Sequence, residues 1–400
     1  MPGLTSLSIL GESGIIFANA TKIMSKQLQT LDLSGIEDIN EAFFLQIIEQ
    51  SGKTLKSLNL SKSDISGDKL VEYNGALSCL EKLELEACYM LTLTGLQQIL
   101  KLCSKTLRSL NLLETHVTGE NIVEFDGTLV CLENLDMENC SLLTGRGLLQ
   151  IFRACGKTLR NLNLTRTNIT GESLVGYSGT LACLENLDIK HCSRLTERGL
   201  LQIFKVCGKT LRSLNLAFTN ITGENLDEFD GTLVCLEKLD MTLCSQLTGR
   251  GLLQIFRLCG KTLRSLNLQN NTDIIGESLV GYSGTLACLE NLNLSWCPIS
   301  DERLLQIFKV WGKTLRYLNL AATNITGKSL VGYSGNLTSL DLSYCQFTDR
   351  GLVKILQHCG KTLRYLNLDE TCITRENLLK YKRMGLLPDI VTVSLISHYY

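Results

Sequence analysis

The feature that most constrains this chain is a repeat of fixed length. The tripeptide Lys-Thr-Leu returns every 52 residues, opening at Lys105, Lys157, Lys209, Lys261 and Lys313. The stretch between two of these marks, residues 106–157, is copied nearly letter for letter along the chain. A period of this size is typical of solenoids, in which one supersecondary unit is stacked many times.

Each 52-residue period contains two shorter units. One reads L-x-x-L-N-L-x-x-T, beginning at Leu159, and the other reads C-L-x-x-L-x-L-x-x-C, beginning at Cys183. The two Leu of L-x-L lie on one face of a short strand, because strand side chains alternate. The run from Gly147 to Cys155 has the apolar spacing of a helix, and Gly156 is suited to end it.

One unit cannot bury its leucines alone, whereas stacked units share a continuous core. All units run in the same direction, so their strands are parallel. The sequence therefore predicts an α/β solenoid with a curved parallel sheet inside and helices and extended turns outside. We expect one domain over residues 1–400, made of about sixteen repeats that alternate near 25 and 27 residues. Residues 386–400 are predicted to be a degenerate C-terminal capping repeat.

Two units depart from the regular length. The stretch from Gln269 to Ile275 carries one extra residue, and the unit at Asn336 is about four residues shorter than its equivalents. We expect a tight return in the shortened unit.

Cysteine usage bears on the compartment. Most of the seventeen Cys recur at fixed repeat positions, so equivalent thiols lie two turns apart. Two turns correspond to roughly 10 Å, and a disulfide needs Cα atoms within about 7 Å. We interpret these residues as small buried hydrophobes. Free thiols, and a start without a basic n-region and a long apolar stretch, favour the cytoplasm or nucleus.

Charge and hydropathy argue against two classes of partner. The formal net charge of −1 gives no indication of nucleic acid. No apolar run approaches the roughly 18 residues of a membrane helix, so no membrane partner is expected.

No pattern in the chain predicts catalysis, a metal or a cofactor. The repeated Gly-Lys-Thr lacks the upstream Gly of a phosphate-binding loop and leads from helix to strand. The Cys spacing is not that of a zinc site. His191 and Cys192 are adjacent, but neighbours on a strand point to opposite faces. We expect an exposed His, a buried Cys and no enzyme activity.

One column of the predicted sheet alternates in sign from strand to strand. We call it the Arg–Glu ladder: Arg108, Glu133, Arg160, Glu185, Arg212, Glu237, Arg264, Glu290 and Arg316. Neighbouring members are close enough to pair, and an exposed pair contributes about 0–1 kcal/mol. We interpret the ladder as a surface feature that keeps the repeats in register.

The two positions after each L-x-L vary most between otherwise matching units. They collect aromatic, cationic and bulky apolar residues, the types that dominate interface energetics. We predict a partner-binding surface on the concave face, formed by Lys190, His191, Phe218, Leu243, Asn270, Trp296 and Tyr344.

The segment CLENLDMENCSLLTGRGLLQIF, residues 131–152, closely resembles the cysteine-containing subclass of leucine-rich repeats. The resemblance extends over essentially the whole chain and implies a right-handed leucine-rich-repeat horseshoe. Such repeats are typical of F-box/leucine-rich-repeat proteins, in which the horseshoe selects substrates for an SCF ubiquitin ligase. The first predicted strand already begins at Leu4, so we expect no F-box in this chain.

The resemblance implies a non-enzymatic protein-binding scaffold without cofactors. Its finer form is the substrate-recognition arm of an SCF-type ubiquitin ligase in ubiquitin-dependent protein catabolism. A ligase adaptor or an upstream domain would then contact the N-terminal edge. Two alternatives remain open at this point: a leucine-rich-repeat fragment of a larger receptor, and a self-assembling structural repeat protein.

Overall fold

The computed structural model describes residues 4–9, 27–36, 41–73, 75–120, 129–272, 286–327, 335–359 and 361–396. The chain divides into two compact units, Met1–Leu211 and Arg212–Tyr400. Each compact unit is built from repeats of a short strand followed by a segment that leads back to the next strand. The two compact units are described separately.

The first unit carries eight strands among its described residues. They are β1 (Ser6–Ser8), β2 (Thr30–Asp32), β3 (Ser57–Asn59), β4 (Lys82–Glu84), β5 (Ser109–Asn111), β6 (Asn134–Asp136), β7 (Asn161–Asn163) and β8 (Asn186–Asp188). Four helices alternate with them: α1 (Glu41–Ser51), α2 (Leu93–Cys103), α3 (Gly145–Cys155) and α4 (Glu197–Cys207). In the repeats between the helical ones, short 3-10 turns at Asp68–Glu72 and Glu172–Leu174 lead back to the next strand.

The second unit repeats this plan. Its strands are β9 (Ser213–Asn215), β10 (Lys238–Asp240), β11 (Ser265–Asn267), β12 (Asn291–Asn293), β13 (Tyr317–Asn319), β14 (Ser339–Asp341), β15 (Tyr365–Asn367) and β16 (Thr392–Ser394). Its helices are α5 (Gly249–Cys259), α6 (Asp301–Trp311), α7 (Asp349–Cys359) and α8 (Arg375–Arg383). A 3-10 turn spans Leu226–Glu228.

Each unit forms a parallel sheet in which every strand pairs with the next strand in the sequence. Leu135 faces Leu162 in the first unit, and Leu292 faces Leu318 in the second. The residues on either side of each central Leu point away from the core and are partly exposed. The predicted α/β solenoid with parallel strands is thereby confirmed. The tight return expected before Asn336 falls at residues 328–334, outside the described part of the chain.

Helix α3 shows why the helix-containing repeats fold as predicted. The hydroxyl of Thr144 accepts the N–H of Gly147 at 2.9 Å and caps the first turn. Leu148, Ile151 and Phe152 are buried, which gives the helix one apolar face. Gly147 is needed for close packing, because a Cβ there would lie 1.9 Å from the carbonyl oxygen of Thr118.

Polar side chains from successive repeats donate hydrogen bonds to backbone carbonyls beneath the sheet. The hydroxyl of Thr167 donates to the carbonyl of Leu164 at 2.7 Å, and the thiol of Cys192 donates to the same oxygen at 3.1 Å. The extra residue after Gln269 is accommodated at Asn271, a buried amide. Its side-chain nitrogen donates to the carbonyls of Met241 and Leu268, each at 2.8 Å. Buried backbone acceptors are thus satisfied in both unit types.

The described helices are also too short to cross a bilayer. None combines sufficient length with the apolar content of a membrane span.

Candidate functional site

The residue after each strand turn has a left-handed backbone. We call this residue the strand-end position; it is the second of the two variable positions noted above. Its φ lies between 52° and 74° in the described strand turns. The first unit places Gly35, Lys62, Ala87, Glu114, Asn139, Arg166 and His191 there. The second unit places Phe218, Leu243, Asn270, Trp296, Ala322, Tyr344 and Glu370 there.

Hydrogen bonds to two partners hold this turn. The N–H of Ser295 donates to the side-chain oxygen of Asn293 at 3.0 Å, and the N–H of Trp296 donates to the carbonyl of Ala321 at 2.8 Å. The same arrangement recurs at Tyr344, whose N–H donates to the carbonyl of Asp369 at 2.9 Å. Every strand from β5 to β15 ends in Asn or Asp, and the side-chain oxygen of that residue accepts the N–H two residues later. These side chains therefore have a structural role, because they cap the turn.

A left-handed backbone is unfavourable for most side chains. It costs about 1–2 kcal/mol for an L-residue, and Gly or Asn adopts it most readily. Yet among the described strands Gly stands at this position only at Gly35, and Asn only at Asn139 and Asn270. Bulky residues held in such a conformation at exposed sites commonly serve a function rather than local stability.

The predicted site residues differ in exposure. Trp296 is 58% exposed and Tyr344 is 60% exposed, as expected. Lys190, His191, Phe218, Leu243 and Asn270 are half-buried, so the expectation that Phe218, Leu243 and His191 are exposed was too strong. Ala322, a single methyl group, occupies the strand-end position between Trp296 and Tyr344.

His191 and Cys192 do not form a reactive pair. Burial, with the cations of Arg166 and Lys190, lowers the pKa of His191 and favours its neutral form. Burial raises the pKa of the Cys192 thiol, whereas a nucleophilic Cys needs a lowered one.

Two exposed aromatics escaped the sequence reasoning. Tyr317 and Tyr365 are the first residues of β13 and β15 and are 54% and 39% exposed. The first strand position is otherwise Ser, Thr, Asn or Lys throughout the described strands. Tyr317 and Tyr365 line a shallow groove of about 360 Å³ across the faces of β11 to β15. The change from a polar residue to Tyr at the first strand position was the sequence signal that could have revealed these two residues.

A second groove lies beyond the ends of β14 to β16. It measures about 880 Å³ and is lined in part by Tyr344, Glu370, Cys372, Arg375 and Leu395. Tyr344 thus borders a concave surface, as most ligand-binding side chains do.

The Arg–Glu ladder forms as predicted. Four of its five Arg, all except Arg316, pair with the next Glu of the ladder. The N–O distances are 2.5 Å for Arg108–Glu133 and 2.6 Å for Arg160–Glu185 in the first unit, and 2.7 Å for Arg212–Glu237 and 2.6 Å for Arg264–Glu290 in the second.

Within the described ranges, no three His, Cys, Asp or Glu side chains come together in a way that could hold a metal ion.

A family model described as a leucine-rich repeat matches residues 209–226, 285–302 and 334–356. These matches fall on the strand and turn motifs described above. The matched segments are leucine-rich repeats.

One curated relative of this leucine-rich-repeat chain is F-box/LRR-repeat protein 4 of Bos taurus. The two are 27% identical over 161 residues, which are 39% of this chain and 25% of the relative. The match therefore covers a quarter of that relative's length.

Solved leucine-rich-repeat structures share the fold. An internalin from Listeria monocytogenes matches with a TM-score of 0.58 at 18% identity, covering 87% of this chain and 88% of the internalin. A chain of the mouse RP105/MD-1 complex matches with a TM-score of 0.56 at 25% identity, covering 90% of this chain and 58% of that chain. Leucine-rich-repeat folds generally serve as binding scaffolds rather than as enzymes.

Proposed function

We propose that a partner protein binds the sheet side of the second unit around β12 to β15. One observation carries this proposal. Five aromatic side chains are prominently exposed among the described residues: Tyr89, Trp296, Tyr317, Tyr344 and Tyr365. Four of them belong to β12–β15 or to the turns directly after those strands. Three strand spacings of about 4.8 Å separate β12 from β15, roughly 14 Å.

Interface energetics support this assignment. Tyr and Trp are the residues most enriched at interface hot spots, which cluster near the centre of a contact. The left-handed backbone at Trp296 and Tyr344 adds to the argument, because both side chains are kept at a conformational cost. Phe218, Leu243 and Asn270 are further proposed contacts in the same unit. Lys190 and His191 remain predicted contacts on the first unit.

A quantitative pull-down from cell extract tests the binding surface. The double variant Trp296→Ala/Tyr344→Ala is compared with the parent chain and with Tyr89→Ala, an exposed aromatic of the first unit. Truncating a Trp anchor costs about 2 kcal/mol, or roughly thirtyfold in affinity. We expect specific partners to be lost from the double variant and retained by Tyr89→Ala. Equal recovery by all three proteins, each with unchanged circular dichroism, would contradict the proposal.

We further propose that the chain acts as the substrate-recognition arm of an SCF-type ubiquitin ligase. The likeness to bovine F-box/LRR-repeat protein 4 and the cysteine-containing repeat pattern support this role. A ligase adaptor or a domain that binds one would contact the N-terminal edge, in the cytoplasm or nucleus. Affinity purification followed by mass spectrometry should recover cullin and adaptor subunits. Their absence, with partner lifetimes unchanged on depletion of the chain, would rule out the ligase role.

A further inference from the structure

The Arg–Glu ladder ends in the second unit. Glu237 and Glu290 directly precede β10 and β12, whereas the residue directly before β14 is Thr338. The next ladder position along, before β15, is again an arginine, Arg364. The alternation of charge is therefore broken at one place, with arginines on both sides of an uncharged residue.

Both flanking arginines are exposed and lack a carboxylate partner among the described residues. Arg316 donates to the backbone carbonyl of Asn336 at 3.2 Å, and Arg364 donates to the backbone carbonyl of Leu363 at 3.0 Å. By contrast, Arg264 is also exposed but lies 2.6 Å from Glu290. A carbonyl oxygen satisfies an N–H donor but does not neutralise the guanidinium charge.

Two lysines add to this excess of charge. Lys313 and Lys361 are exposed in the turns that lead into β13 and β15, three residues before Arg316 and Arg364. Asn336 and Thr338, which precede the intervening strand β14, are uncharged. We call Lys313, Arg316, Lys361 and Arg364 the cationic edge. At the same edge before β9 to β12, Arg212 pairs with Glu237 and Arg264 pairs with Glu290.

The groove beside the cationic edge is suited to an extended chain. Tyr317 and Tyr365 directly follow the two arginines and line the 360 Å³ groove with amide and hydroxyl side chains such as Asn293, Asn319 and Ser339. These groups can exchange hydrogen bonds with a peptide backbone, and the two rings offer apolar contact. The one carboxylate in the groove, Asp341, already accepts bonds from Ser343 and Asn367.

We propose that the cationic edge and the adjoining groove dock an acidic, extended peptide segment of the partner protein. The inference rests on the proposed protein-binding function and names the chemistry of the partner. Arg316 and Arg364 precede strands two apart, a separation of about 9.6 Å. Three residues of extended chain span about 10 Å. A segment that crosses the strands therefore matches the arginines best when its carboxylates are three residues apart.

Complementary charge is the reason for an acidic segment. Arg recognises carboxylates through paired N–H donors, and Tyr beside Arg is a combination enriched in binding surfaces. Such contacts act chiefly on the encounter rate and on specificity, and they weaken with added salt.

The test uses a fluorescein-labelled peptide, (Glu-Ser-Gly)4, followed by fluorescence anisotropy with the full chain. (Gln-Ser-Gly)4 serves as the uncharged control, and a peptide of the same composition with four adjacent Glu serves as the spacing control. We expect the evenly spaced acidic peptide to bind best, and its affinity to fall as salt is raised.

The decisive variant is Thr338→Glu, which restores the ladder and gives Arg316 a carboxylate partner. We expect at least tenfold weaker binding of (Glu-Ser-Gly)4. Thr338→Gln, which has the same size without the charge, should stay within about twofold of the parent. Arg212→Gln, at a paired arginine of the same unit, should also stay within about twofold.

Several outcomes would overturn the inference: no binding of the acidic peptide, equal binding of the Gln peptide, or no effect of Thr338→Glu. Displacement of the peptide by a single-stranded oligonucleotide at lower concentration would instead assign the edge to nucleic acid. A Thr338→Glu chain that still recovers every partner in the pull-down overturns this inference and leaves the proposed function standing. Loss of partners from Trp296→Ala/Tyr344→Ala but not from Thr338→Glu would likewise overturn this inference and support the proposed function.

Discussion

The N–H of Trp296 donates to the carbonyl of Ala321 in the following repeat at 2.8 Å. This bond holds the left-handed backbone on which the exposed indole stands. The conformation is fixed by main-chain atoms, so it does not depend on which side chain the position carries. Stability and binding can therefore be separated at this residue.

Replacing Trp296 with Asn should remove binding without weakening the fold. Asn adopts the left-handed region readily, so we expect the free energy of unfolding to stay constant or rise by up to about 1 kcal/mol. Partner recovery should fall as in Trp296→Ala. Urea denaturation and the pull-down measure the two effects. Glu114→Asn, at the same backbone position in the first unit, should show the stability change alone; a clear loss of stability in both would refute the strain argument.

The core and the ladder should respond very differently to truncation. Replacing Leu187, the buried centre of β8, with Ala should lower the free energy of unfolding by about 2–5 kcal/mol, because a cavity remains. Replacing Glu185, which pairs with Arg160 at the surface, with Ala should lower the free energy of unfolding by less than about 1 kcal/mol. Urea denaturation followed by circular dichroism compares them. Similar losses for both variants would mean that the ladder holds the repeats together.

Gly147→Ala tests the close approach between stacked units. The new Cβ would stand 1.9 Å from the Thr118 carbonyl oxygen, and neither backbone can rotate away. We expect a loss of about 1–3 kcal/mol in the free energy of unfolding, although Ala is the better helix former. Arg146→Ala, one residue earlier on the same helix, is exposed and should change stability by less than about 0.5 kcal/mol. Gly147→Ala with parent stability would show that the contact is not tight.

The helix-end thiols should make stability fall in alkaline solution. Burial raises the pKa of Cys103, Cys155, Cys207 and Cys259 to about 12 from an ordinary value of 9.0. Between these pH values the unfolded chain loses protons that the folded chain keeps. Their stabilising contribution is thus complete below pH 9 and is lost as pH rises toward 12, by up to about 1.4 kcal/mol per pH unit for each thiol.

Thermal unfolding between pH 8 and 11 measures this dependence. Cys155→Ala/Cys207→Ala should show a shallower decline in Tm than the parent chain. Cys372→Ala, which removes an exposed thiol, is the control and should follow the parent. Parallel curves for all three proteins would contradict a role for the buried thiols.

The fold could be read from sequence because its rules are local and repeated. The L-x-L spacing at Leu162 and Leu164 fixes which face is buried, and the run ending at Gly156 was correctly predicted to be helical. The Arg–Glu pairing followed from strand register alone. The single-domain interpretation and the binding surface remain predictions.

Other features depend on geometry that no pattern showed. The left-handed strand-end backbone is occupied by residues such as Trp296 that do not favour it, so propensity gave no indication. The half-burial of Phe218 depends on its neighbours in space. Tyr317 and Tyr365 were visible as departures from a polar column, but that column attracts attention only once the strands are aligned.

The strand-end turn also bears on how such a chain can change over generations. Its shape is set by a main-chain bond, so a codon change there alters what the surface displays and leaves the skeleton intact. A duplicated 52-residue period arrives with two such positions already correctly folded. New recognition properties can then arise by single substitutions, without an intermediate that fails to fold.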